Sequence, residues 1–488
     1  MKKLPGLIYH GFFDELIGTT KKLDYKILHQ KDNKVLIKNV GQLNSPVSVS
    51  GLINNKSEYT IWNSGFSGKK WLELPNEQVE KIIVNKDETP ELNKKNNTYK
   101  TSGLFKKIEP VEINGLQIIE KNDKTQIGIF PAAGWNNYNG FILGAMLYSP
   151  ILPLQKIEYQ LVPMYGFENK SFAGLGNITL HTYPFRNIFE RVDLSVSAKQ
   201  FAFDTDQNTY YQKIKGELSA RIRKRNERSL ISQKFNISYV AASNLENIMS
   251  RANDIGIVYY TNISYLLANK NLIQPYKIKL SIEGSSFSVK TEGEFDWSLA
   301  TKYSKKALRI RIFGGYFFDS PDYYQYEFTV GGTSGIYDYQ FNDIYFGRFE
   351  QYGIDGHNQY LSQQFTEKQG GFASYSPLSS DKWLLAVNAK AKIPKVPINF
   401  YMGLATYDKA GASDIALPDG KNYATQSIAY EIGFNINIGE ILNIYFPIAV
   451  SSDISEYQDF FTNNYSEKIR FSLNLSKLNI FELREQMK

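Results

Sequence analysis

The side chains able to do chemistry are few and poorly grouped. The 488-residue chain has four histidines, His10, His29, His181 and His357, and no cysteine. No histidine is followed four residues later by a second histidine or a glutamate, so the helix face that holds zinc in an HExxH peptidase is missing. Without thiols there is neither a disulfide nor a thiolate metal site. Gly331-Gly332-Thr333-Ser334-Gly335 suggests a phosphate loop, yet it lacks the closing Gly-Lys-Ser/Thr and the strand–loop–helix setting. Asp319, Asp322, Asp338 and Asp343 offer oxygen donors of the kind calcium takes, without the ordered spacing of a calcium loop. Glu292, Glu294 and Asp296 fall on one face of a strand, where a glycosidase pair or a polar interior lining would both place carboxylates. The lining is the plainer assignment. His181 reads as an interior polar side chain and His357 as a solvated one. We therefore expect no catalytic, cofactor-binding or metal residue and no enzyme activity in this chain.

The elements that carry these residues are strands. From about Thr125 onward, long segments alternate apolar and polar positions. Val192, Leu194, Val196 and Ala198 alternate with Asp193, Ser195, Ser197 and Lys199, and Ile214, Leu218, Ala220 and Ile222 alternate with Lys215, Glu217, Ser219, Arg221 and Arg223. The same period recurs at Ile278–Ile282, Leu308–Ile312, Val387–Ile393, Ile432–Ile438 and Ile469–Leu475. Period 2 makes one face apolar and the other polar. Segments of roughly 9–14 residues are long enough to cross a bilayer when tilted, whereas soluble strands average about 5–6. Backbone groups in lipid must all be paired, so spanning strands have to close into a barrel. The spacing predicts about sixteen strands, an even number being preferred. Arg221, Arg223, Arg309, Arg311, Lys390 and Lys392 would then face inward and demand a hydrated lumen or a polar plug.

Composition agrees. Aromatic residues reach 14%, with 34 Tyr and 31 Phe, as interface girdles require. No apolar run is long enough for a spanning helix. The net charge of +7 comes mostly from dispersed lysines, so nucleic acid is not an expected partner. The start, Met1 to His10, has a basic opening, but its apolar stretch is broken by Pro5 and no cleavage site follows. An exported chain with such a start is expected to be part of a longer precursor, or to have its start misassigned.

Ahead of the long segments lie shorter strand candidates, Lys34–Lys38, Val47–Gly51, Tyr59–Trp62, Trp71–Leu74 and Lys81–Val84, separated by turn residues. The expected fold class is all-β: a transmembrane antiparallel barrel preceded by a small β-sandwich. The expected organisation is an N-terminal segment over 1–23, a small periplasmic domain over 24–110 and an outer-membrane barrel over 111–488.

One stretch is more specific. The strand Leu308–Phe318 leads to Phe328-Thr329-Val330-Gly331-Gly332-Thr333-Ser334-Gly335-Ile336-Tyr337-Asp338-Tyr339, then Phe346-Gly347-Arg348 and Gly370-Gly371-Phe372. This order resembles the last third of the BamA/FhaC superfamily of assembly and secretion barrels. In that family a Gly-Gly pair opens a Val-Arg-Gly-aromatic loop that folds back into a sixteen-stranded barrel. The resemblance marks Gly331, Gly332, Ile336, Tyr337, Asp338, Tyr339, Gly347 and Arg348 as lumen-loop residues. Tyr337 stands at the family's Arg position and Asp338 at its Gly, and the partner acid's place falls near Gly403. The resemblance thus implies that the family's buried ion pair is lost from both sides, as its cost would favour.

A second resemblance covers most of the chain. Asn63 to Lys70, Pro90 to Asn97, Gly134 to Gly140, Met164 to Phe167 and Gly174-Leu175-Gly176 look like the C-terminal half of Bacteroidetes-type proteins, in which a gluzincin aminopeptidase precedes a β-domain and a barrel. That resemblance implies a non-catalytic barrel, in contact with outer-membrane lipid, that anchors or partners a periplasmic metallopeptidase or another envelope protein. The alternative is a BamA/FhaC-like assembly or translocation pore.

Overall fold

The computed structural model describes Thr19, residues 21–474, Phe481 and Arg484, except 76–77, 87–90, 108–110, 116–117, 122–123, 185–186, 204–208, 227, 251, 253, 303, 321–325, 349–362, 409–425 and 440. The first ten residues with His10, and also Pro90, Asp322 and His357, lie outside the described residues. The chain divides into two compact units, 1–129 with 149–156, and 130–148 with 157–488.

In the first unit, β1 (Tyr25–Lys31), β2 (Lys34–Asn39) and β5 (Lys69–Glu73) form one sheet. The second sheet has β4 (Lys56–Asn63), β3 (Val47–Ile53), β6 (Lys81–Val84) and β7 (Thr98–Lys100), in that order. Alternation places Tyr25, Ile27, Val35, Ile37 and Leu72 of the first sheet in one core with Val47, Val49, Ile82, Val84 and Tyr99 of the second. The tight loop at Gly65 has a steric cause. A Cβ there would fall 1.7 Å from the Asn44 carbonyl oxygen.

The long strands are β8 (Val111–Asn114, short), β9 (Thr125–Asn136), β10 (Gly140–Tyr148), β11 (Ile157–Gly166), β12 (Ser171–Thr182), β13 (Phe189–Ala202), β14 (Tyr210–Ile222), β15 (Ile231–Ser243), β16 (Ile257–Asn269), β17 (Tyr276–Gly284), β18 (Val289–Thr301) and β19 (Ser304–Asp319). After two short pieces, β20 (Phe328–Thr329) and β21 (Ser379–Ser380), come β22 (Trp383–Lys392), β23 (Ile398–Tyr407), β24 (Ile428–Ile438), β25 (Leu442–Val450) and β26 (Arg470–Leu473). Seventeen of these, β8 to β19 and β22 to β26, close into a barrel. β8 pairs parallel to β9, so sixteen remain as a meander in chain order. From β10 onward, neighbours pair antiparallel, with Leu194 opposite Leu218 and Arg311 opposite Asn388.

The alternation has the expected result. Leu194 and Val196 on β13 are more than half exposed, while Asp193 is 8% exposed. Ile214, Ile237, Tyr239, Leu280, Ile282 and Leu404 are likewise exposed on other strands. The outer wall is apolar and the polar wall faces inward. The meander puts the connections after β10, β12, β14, β16, β18, β22 and β24 at one end of the barrel and those after β9, β11, β13, β15, β17, β19, β23 and β25 at the other, the last three of these being the longest in sequence.

Candidate functional site

The polar inner wall is covered by one segment. Residues 326–348 and 363–380, between β19 and β22, touch strands all the way round. Lys199 on β13 donates to the carbonyls of Phe341 (3.1 Å) and Asn342 (3.0 Å). Lys213 on β14 donates to the Asn342 side chain. Tyr260 on β16 meets Tyr326 hydroxyl to hydroxyl at 2.8 Å, and Tyr339 donates to Glu283 on β17. Arg311 on β19 reaches the Gln369 carbonyl at 2.9 Å, and Asn388 on β22 donates to Gly370 at 2.9 Å. Glu431 on β24 accepts the Ser374 N–H at 3.1 Å. Lys390 and Tyr445, on β22 and β25, hold Glu367. A segment bonded to so many strands of one closed ring lies inside it.

The segment is folded around a buried cation. Arg348 donates from Nη2 to Asp338 Oδ2 at 3.1 Å and from Nη1 to the Gly335 carbonyl at 3.3 Å, and it also bonds the Asp343 carbonyl. Both side chains of the pair are 2% exposed. The rings of Tyr211, Phe341 and Tyr345 surround the guanidinium, with centroids at 4.3, 5.1 and 5.1 Å. Asp338 also accepts the N–H groups of Asn342 and Asp343, each at 2.8 Å, and so builds the turn that presents Phe341. A charge taken out of water needs a partner and hydrogen bonds together, and here it has both.

This buried Arg–Asp pair is not the loop-to-barrel pair of the resembled family, because Arg348 and Asp338 both belong to the loop itself. Gly403 carries no carboxylate, and an acid stands on the next strand. Glu431 lies directly opposite Gly403 in the β23–β24 register and is fully buried. Gly403 is small for a reason, because a Cβ there would come within 2.7 Å of the Phe372 ring of the loop.

The other residues singled out from the sequence fall into place around this lock. Gly331 and Gly332 are packing positions. Their Cβ atoms would meet the Ser374 carbonyl at 2.6 Å and the Phe365 ring at 2.2 Å. Gly347 is buried next to Arg348, and Ile336 and Tyr337 lie in a single 3-10 turn with Gly335. The Tyr339 ring packs tilted against that of Tyr326, centroids 4.5 Å apart. Of the acids considered for calcium, Asp338 pairs with Arg348, and Asp343 pairs with Lys368 at 3.1 Å while its carbonyl accepts from Arg348. Among the described residues no group of three or more metal-ligating side chains is set to hold an ion.

The carboxylates on β18 are paired across the wall, Glu294 with Arg311 at 2.7 Å and Asp296 with Arg309 at 2.6 Å. His181 is buried between Asp193 (Nδ1, 2.6 Å) and Glu158 (Nε2, 3.1 Å), and Arg484 near the chain end also pairs with Glu158. Both ring nitrogens are therefore engaged by carboxylates.

Sequence reasoning missed Arg470. On β26 it is 2% exposed and donates to the carbonyls of Gly332 (2.7 Å) and Ala373 (2.9 Å), with its guanidinium 4.8 Å from the Phe365 ring. Nothing in an alternating strand distinguishes an arginine that faces water from one that clamps a loop.

No family model matches this chain, and no curated protein sequence does. Among solved structures it is similar to BamA from Haemophilus ducreyi lacking POTRA domains 1–3, at 11% identity over 68% of each chain with a TM-score of 0.32. It is also similar to CdiB from Acinetobacter baumannii, at 8% identity over 67% of this chain and 56% of that one, TM-score 0.31. The translocation pore of the P pilus usher PapC shares 9% identity over 88% of this chain and 75% of that one, TM-score 0.20.

Proposed function

We propose that this chain is an outer-membrane barrel of the assembly or translocation type, closed at rest by its own residues 326–348 and 363–380. The membrane reading is supported by the apolar outer wall, since water would not favour Leu194, Val196, Ile214 and their counterparts on so many strands. Phe141, Tyr165, Phe167 and Phe172 form an outward aromatic group at the end with the long connections, as an interface girdle does. On this reading the end opposite the longest connections faces the periplasm, and a periplasmic location of the first unit is part of the proposal.

The observation that carries the pore reading is the segment bonded around the ring and pinned by Arg348 and Arg470. A merely structural barrel could fill its lumen with fixed side chains. A separate segment held to the wall by side-chain hydrogen bonds from many strands is instead an element that can be released as a unit. Partnership with a periplasmic metallopeptidase rests on the sequence likeness alone. Two of its motif residues have local structural work, Asn136 donating to Asn139 and Asn139 to Asn169 at the rim turns.

The test is conductance in a planar bilayer. The native chain should insert with low, rare conductance, and the variants Arg348→Ala and Arg470→Ala, or removal of 333–375, should open it. Equal conductance with and without the segment would contradict the proposal.

A further inference from the structure

The outer face of the three-stranded sheet in the first unit carries a charge pattern that the barrel does not need. Strand register sets its side chains in three rows. Lys26, Lys38 and Lys69 form the first row, His29, Leu36 and Trp71 the second, and Lys31, Lys34 and Glu73 the third. The face thus has five lysines against one acid, around a tryptophan that is 45% exposed. Lys34 and Glu73 make an open 3.1 Å pair, and Lys26, Lys31 and Lys69 are exposed.

The sheet order ends at β5, so this strand is an edge. Leu74 N–H donates to Asn33 and the Gly68 carbonyl accepts from Asn39, both toward β2. By alternation, the backbone groups of Lys69, Trp71 and Glu73 point away from the sheet. These are the residues whose side chains lie on the lysine face. A strand added beside β5 would sit about 4.8 Å away with every second side chain on that same face.

We infer that the β5 edge of the N-terminal unit binds an extended acidic polypeptide by strand addition, its alternate carboxylates meeting the lysine rows and an apolar side chain covering Trp71. Lysines on an edge strand also repel unwanted pairing, which alone would account for Lys69 and Lys70. It does not account for Lys26, Lys31, Lys34 and Lys38, which lie on the two strands behind the edge. The same charges that reject neutral and basic strands admit an acidic one.

The experiment uses the full chain folded in detergent. The probes are fluorescent peptides alternating Glu with Val or Lys with Val, read by anisotropy. The native chain should bind the acidic peptide, more weakly as salt rises, and not the basic one. Replacing Lys26, Lys38 and Lys69 by Gln should weaken binding by on the order of tenfold. Trp71→Pro removes an N–H that points away from β2, so it should abolish binding, while Trp71→Phe should keep it. Binding that survives Trp71→Pro would overturn strand addition. Lack of binding to the acidic peptide, an unchanged affinity in the lysine triple variant, or capture of anionic lipid vesicles in place of the peptide would overturn the proposal.

Discussion

Arg348 and Asp338 show what a buried charge demands. Removing one partner leaves the other unpaired, at a cost of about 3–5 kcal/mol, whereas removing both costs much less. Arg348→Ala should therefore loosen the lumen segment strongly, seen as faster amide exchange over residues 335–348. Asp338→Asn combined with Arg348→Met should recover much of the protection. Arg348→Lys should not rescue, because a single ammonium cannot reach Gly335, Asp338 and Asp343 together while lying among three rings.

In the first unit, Glu91 supplies a pH effect. Burial pushes its carboxyl up to about 7, against hydrogen bonds from Asn97 and Asn85 that pull it down, and burial also raises Asp24. A carboxyl raised on folding binds more protons folded than unfolded. Its contribution is complete below the ordinary carboxyl range near 4.5 and is lost as pH rises through about 7. Amides of β1, β3 and β6 should show larger protection factors, relative to the intrinsic exchange rate at each pH, at mildly acidic than at alkaline pH, and Glu91→Gln should flatten that difference. A difference unchanged in the variant would assign it elsewhere.

Among the antiparallel barrel strands, β26 is the shortest. It has four residues and meets β25 at four positions, while β13 and β14 pair over most of their length. At Phe471 its backbone bonds the loop instead, taking the Gln363 carbonyl at 2.7 Å and giving its own carbonyl to Phe365 at 2.9 Å. The last strand and the lumen segment are thus one mechanical unit, joined again by Arg470. Removing 333–375 or the Arg470 side chain should speed exchange in β26 by at least about tenfold and leave β13 and β14 unchanged. Equal rates in β26 would separate the two.

The alternating strands were legible because period 2 follows from backbone geometry alone, and Leu194 and Asp193 fall on opposite faces as their order requires. Gly331 and Gly332 were legible as special but not as packing positions, since the Phe365 ring that excludes a Cβ comes from 33 residues later in the chain. Arg348 was visible only as the end of a motif. Its partner is ten residues away in a segment without a regular period, and only tertiary folding brings them together.

In the molecule as a whole, the proposed barrel turns its apolar outer wall to lipid and its polar inner wall to the chain's own segment. The absence of native cysteine makes this directly measurable. Single cysteines placed at Leu194, Ser195, Val196 and Ser197 on β13, labelled with an environment-sensitive dye in liposomes, would report each side separately. Dyes at 194 and 196 should be quenched by brominated lipid and shielded from aqueous quencher, and those at 195 and 197 should escape lipid quenching. Quenching without alternation along the four positions, or none from lipid at any of them, would contradict the membrane-spanning barrel.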